Sequence, residues 1–184
     1  FARAEIHRRE EAPSDRAIEC VLALHRAKAA DGLQKPEETR SRLALFLDTD
    51  CRATALPREL HEALRLRAKE LFRLKHVDDA IAVYRGVIAN EERTGAAIDV
   101  RVLSMNSLAF VLSGRGDDEG AVEVFSRSME LSSGRPPEIG QIVAATALRG
   151  ILLKRRDFSA LEMVSRRLVM MNESVFGPES ASVG

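Results

Sequence analysis

"NSLAFVLSGRGDDEGAVEVFSRSMEL", residues 106–131, carries apolar residues at helical spacing, breaks on glycine and aspartate, and resumes the spacing with Ala121, Phe125 and Met129. Two structures could use such a break. A glycine loop that cradles phosphate needs a strand ahead of it, and here a helical pattern stands in that place. The break therefore reads as the corner of a helical hairpin. Gly114 and Gly116 end one helix, and Asp117 and Asp118 cap the next, their charge lying at the positive end of its dipole.

The same corner recurs along the chain. Laying "KELFRLKHVDDAIAVYRGVI" and "GILLKRRDFSALEMVSRRLV" over it puts Ala80, Ala121 and Ala160 in one column, 41 and 39 residues apart. Tyr84, Phe125 and Val164 share a second column, Leu71, Leu112 and Ile151 a third, and Ala68, Ala109 and Leu148 a fourth. A more degenerate copy places Ala27, Ala30, Thr39 and Leu43 in those columns. Small residues facing each other let two helices approach closely, and the large residue one turn on fills the space against the next pair. A single pair leaves one apolar face bare, which stacking hides.

Apolar spacing of three and four almost throughout, with no clean alternation, makes the chain all-α. Ser14 or Asp15 can cap a first helix that Gly32 ends with a left-handed residue. Pro36 and Pro57 open the next two, and further stops fall near His76, Gly95, Gly114 to Gly116, Ser132 to Pro137 and Arg156 to Asp157. Eight helices are expected after a frayed N-terminal one, forming a single array of hairpins at about 14–52, 57–94, 97–132 and 136–173. Residues 1–11 would be the end of a preceding helix and 174–184 a linker to a further repeat. The chain begins at Phe1 without Met, so it is expected to be a piece of something longer.

Composition removes several classes of function. Acidic and basic residues number 28 each, and there is no Trp, so nothing attracts a polyanion and nucleic acid is not an expected partner. No apolar run approaches the ~20 residues of a membrane span. Two cysteines, Cys20 and Cys51, make no disulfide framework and no CxxC. They are expected as buried free thiols, close in space, in a reducing, cytoplasmic setting.

The columns resemble the tetratricopeptide repeat (TPR), and the longer period resembles the variant found in kinesin light chains. That variant carries Asn followed by Leu-Ala in the first helix, matched by Asn106, Leu108 and Ala109, and a Gly-Pro-Glu linker, matched within "NESVFGPES" at 172–180. The pattern departs at Arg26 and Thr39 in the first unit and at Arg167, which falls on a usual alanine. The resemblance implies a right-handed α-solenoid whose first helices line a concave groove.

No catalytic constellation stands beside that groove. His61-Glu62 lacks the second histidine of a zinc-protease helix, since position 65 is Arg, and His7, His25, His61 and His76 show no ligand spacing. The chain is expected to be no enzyme and to need no metal or cofactor. By the resemblance, the groove-facing columns contain Lys28, Lys69, Phe110 and Arg149, then Arg65 and Asn106, then Arg73. Arg65, Lys69 and Arg73 recur at intervals of four on one helix face, and like charges so spaced repel mildly unless something acidic answers them. The implied function is a scaffold or adaptor that grips a peptide or protein segment, acidic in character. Asn106 would bond the peptide backbone, and Phe72 and Phe110 would offer apolar contact. The alternative is a sensing module that controls an effector domain elsewhere. A solvated stripe, partly neutralised by Glu62 and Glu70, would serve neither. Bare array ends can also self-associate.

Overall fold

The computed structural model describes residues 15–177, and among these there are nine α-helices and no strand. They are α1 (Asp15–Gly32), α2 (Pro36–Phe46), α3 (Thr49–Thr54), α4 (Pro57–Arg73), α5 (Val77–Arg93), α6 (Ile98–Arg115), α7 (Asp118–Leu131), α8 (Ile139–Arg155) and α9 (Phe158–Phe176). The expected helix end at 1–11, the cap at Ser14 and most of the linker lie outside the described residues. The chain divides into two compact units, Phe1–Leu66 and Arg67–Gly184, and the division falls inside α4.

In the first unit α2 folds back on α1, and Ala27, Ala30, Thr39 and Leu43 are all buried. Two details differ from the sequence reading. Gly32 remains helical, and Gln34 takes the left-handed conformation instead, at φ 55°. The second helix does not run on to 52. It stops at Phe46, Leu47 closes it with an N–H donated to Leu43 O, and a separate six-residue α3 follows. Asp48 stands at this break, a residue type whose side chain competes with a helix for backbone bonds.

The second unit contains α5 to α9 and the end of α4, built around one core. Ala68, Ala80, Tyr84, Ala109, Leu112, Ala121, Phe125, Leu148, Ile151 and Val164 all belong to it. Each first helix ends in the same hydrogen-bonded corner: His76 N donates to Leu71 O, Asp117 N to Leu112 O, and Asp157 N to Leu152 O. The residue before each donor is left-handed: Lys75 at φ 68°, Gly116 at 89° and Arg156 at 58°. Asp117 and Asp157 then cap α7 and α9, accepting from Gly120 N and Ala160 N. The Gly120 N–H, followed by the Arg115 guanidinium, holds the Asp117 carboxyl below the usual carboxylate range.

These caps correct the register of the last copy by one residue. Ala160 corresponds to Gly120, so Leu161 stands where Ala121 does, and Leu152 where Leu112 does. Farther along α9 the buried residues return to the expected columns, with Val164 and Leu168 matching Phe125 and Met129.

Ion pairs tie successive hairpins together. Arg115 at the end of α6 reaches Asp78 at the start of α5, 2.8 Å away, and Lys154 at the end of α8 reaches Asp118 at the start of α7, 2.6 Å away. Each charge also opposes the partial charge of its own helix terminus. The second helices are linked by Arg127 to Glu92 (2.6 Å) and by Arg167 to Met129 O (2.8 Å).

Ala121 is fully buried where α6 and α7 meet. Ala121→Leu is therefore expected to destabilise the protein by about 1–3 kcal/mol through overpacking, measured by urea denaturation; a neutral result would contradict the close approach of these two helices.

Candidate functional site

The residues expected to line a groove fall in both units: Lys28 and Arg65 in the first, Lys69, Phe72, Arg73, Asn106, Phe110 and Arg149 in the second. In the first unit Lys28 Nζ donates to Glu62 Oε2 at 3.0 Å, so the acidic neighbour neutralises it. Arg65 is half-buried. Its charge, after burial itself, pushes the pKa of the enclosed His61 down, which leaves that imidazole neutral at pH 7. His61 is thus an interior residue, while His25 and His76 are exposed. His7 lies outside the described residues.

In the second unit Arg73 donates to the buried carboxylate of Glu70 at 2.6 Å. Lys69, one turn before it, is exposed. Phe72 is half-buried, and its ring closes on α6 at Gly114: a Cβ added there would meet Phe72 Cζ at 2.7 Å. Only glycine admits the ring at that distance without a shift. One turn earlier on α6, Phe110 is 40% exposed and sets its ring edge-on to Phe125, with centroids 5.1 Å apart.

Asn106 takes a different position from the one expected. It is buried, and its Oδ1 accepts from Ser128 Oγ at 2.7 Å, tying α6 to α7. The carboxamide's acceptor is therefore engaged inside the hairpin, and what Asn106 has to offer a ligand is the N–H side.

The outward face of α6 is more apolar than its charges suggested. Leu103, Ser107, Phe110 and Gly114 recur at four, three and four residues, and both Leu103 and Phe110 are exposed. α8 packs beside α6 and leaves Val143 and Leu153 exposed, with Arg149 between them. Leu103, Val143 and Leu153 were detectable as the apolar residues that break the polar side of each helix, but the repeat columns drew attention to the charges.

Among the described residues, no group of three or more His, Cys, Asp or Glu could hold a metal ion. No described helix is long and apolar enough to cross a membrane. Cys20 and Cys51 are joined in a disulfide between α1 and α3, with Cα atoms 5.3 Å apart. That corrects the expectation of free thiols and removes the ground for expecting a reducing compartment.

No family model and no curated protein matches the sequence. Solved structures match the fold. A kinesin light chain protein of nearly identical TPR-like repeats from Podosopora anserina superposes with TM-score 0.62 at 15% identity, over 90% of this chain and 79% of that one. A second structure of such a protein gives 0.63 at 13% identity. BtubC (BKLC) from P. vanneervenii gives 0.58 at 12% identity, over 89% of this chain and 76% of its own. The chain has the kinesin-light-chain-like TPR fold, an all-α solenoid of repeated helical hairpins.

Proposed function

We propose that this helical-repeat chain is a non-enzymatic scaffold or adaptor that binds an extended peptide or protein segment along the outward faces of its first helices. The observation that supports it most is the apolar face of α6, where Leu103 and Phe110 are exposed and the half-buried Phe72 ring packs on Gly114. A monomer gains nothing from exposing large apolar side chains in a row, whereas a partner's side chains can be buried against them. Lys69 and Arg149 are exposed cations on the first helices of the same unit, with Arg73 beside them paired to Glu70, so the partner segment is apolar with acidic residues interspersed. Asn106 contributes its N–H donors to the peptide's carbonyls. Within the first unit, taken by itself, Lys28 and Arg65 occupy the corresponding columns and offer the same chemistry, with Lys28 exchanging Glu62 for an acidic ligand.

The reading is tested with a short fluorescent peptide of alternating Leu and Glu at low salt, where charge effects are least screened. Lys69→Glu together with Arg149→Glu is expected to weaken binding about tenfold. Both side chains are exposed, so helical content and melting temperature should stay at the wild-type values. Equal affinity for the reversed protein would remove the acidic preference. Loss of all binding on Phe110→Ser, with charges intact, would show that the apolar face carries the affinity.

A further inference from the structure

The corner between α7 and α8 holds a cavity of about 340 Å³ against the C-terminal half of α9. Ser133, Arg135, Arg167, Met170 and Ser174 are among the residues that line it, and no aspartate or glutamate does. Arg135 and Arg167 therefore border one space, and Arg167 also borders the neighbouring cavity between α7 and α9, where Glu130 is part of the lining.

Arg167 is the residue that departs from the repeat pattern, an arginine where Ser128 and Val87 stand in the other copies. It is half-buried and fixed: Nη2 donates to Met129 O at 2.8 Å, near the C-terminus of α7. Met129 O already accepts from Ser132 Oγ at 3.1 Å, so capping alone does not call for a guanidinium. That anchor fixes the guanidinium at the cavity's border, which lowers the entropy lost when its remaining N–H groups bind something. Arg135 lies on the corner loop beside the left-handed Gly134 (φ 79°), and its guanidinium has no ion pair or hydrogen bond among the described residues.

We propose that the cavity between Arg135 and Arg167 binds a phosphate monoester. One carboxylate is filled by a single guanidinium fork, whereas two forks with the hydroxyls of Ser133 and Ser174 match the several oxygens of a dianionic phosphate. Met170, 62% exposed at the cavity's edge, supplies apolar surface for the carbon side of the ester. A pocket of this volume is at the small end for ligand sites, which suits a phosphorylated side chain of a partner segment or a free phosphorylated small molecule. This surface lies on α9, the loop and Gln141 at the start of α8, and shares no residue with the peptide-binding reading, so it stands or falls independently of it.

The full chain is titrated calorimetrically with glycerol 2-phosphate, inorganic phosphate, a phosphoserine peptide and acetate. Saturable binding of the monoester is expected, about tenfold weaker or more on Arg135→Glu, and weaker as salt rises. Arg135 is exposed on a loop, so that variant should melt with the wild type. Arg167→Gln should lose the same binding, with its melting temperature recorded because it also loses the bond to Met129 O. Tighter binding of the peptide than of glycerol 2-phosphate assigns the ester to a partner protein, and equal binding assigns it to a free ligand; either supports the site. Acetate binding as tightly as the monoester, unchanged affinity on Arg135→Glu, or no saturable binding of any phosphate would overturn it.

Discussion

Phe125→Ala is expected to destabilise the second unit by about 3–5 kcal/mol, the range for removing a fully buried aromatic side chain. Phe125 is inaccessible to solvent and sits in the large-residue column that Tyr84 and Val164 fill in the neighbouring copies, so its ring wedges between successive pairs. Its removal also takes away the ring against which Phe110 stands edge-on. The variant should therefore bind the Leu-Glu peptide more weakly even below its melting temperature, because Phe110 is no longer held. Urea denaturation followed by circular dichroism gives the stability change. A loss under about 1 kcal/mol would mean that the column does not carry the packing between pairs.

Breaking the Cys20–Cys51 disulfide should cost the first unit nearly as much. The two residues are separated by 31 positions, and constraining a loop of that length in the unfolded chain is worth about 3–4 kcal/mol. Both cysteines are buried, and the bond ties the short α3 to α1. Six residues are too few to hold a helix by themselves, so α3 is expected to lose its amide protection on reduction before α1 and α2 do. Hydrogen exchange with and without a reductant checks this, with Cys20→Ser and Cys51→Ser as permanent equivalents. Identical protection of residues 49–54 in both states would show that packing, not the bond, holds the segment.

How much of this was legible in the sequence depended on what each feature required. The α6–α7 corner was readable because Gly116 and Asp117 are the residue types that a left-handed stop and a helix cap select. At the α8–α9 corner the stop at Arg156 to Asp157 was legible from the broken spacing, but Arg156 takes the left-handed position without glycine, so no glycine fixed the register and the last copy's columns stand one place off. The break between α2 and α3 hid because apolar residues keep a spacing of four across it through Leu43, Leu47 and Cys51. The cysteines could be placed as neighbours from the hairpin geometry, but their union depends on a Cα separation of 5.3 Å that spacing cannot supply.

The candidate surface was legible in part for a related reason. Columns identify which residues share a position, and they found Lys69 and Phe110 on exposed faces. They do not show what lies across from a side chain. Thus Glu62 and Glu70 were legible as acidic neighbours of the basic stripe, whereas their pairing with Lys28 and Arg73, Ser128 opposite Asn106 and Gly114 beneath Phe72 needed the three-dimensional arrangement.

The repeated two-helix unit in residues 67–177 is tested most directly by distances between spin labels carried on non-cysteine side chains, which leave the disulfide intact. Ala82 on α5, Glu123 on α7 and Glu162 on α9 are exposed residues near the start of the three successive second helices. Copies laid side by side put neighbouring labels about 10 Å apart, the spacing of packed helices, and the outer pair at roughly twice that. An Ala82–Glu162 distance no longer than Ala82–Glu123 would mean a closed bundle and would contradict the stacked arrangement.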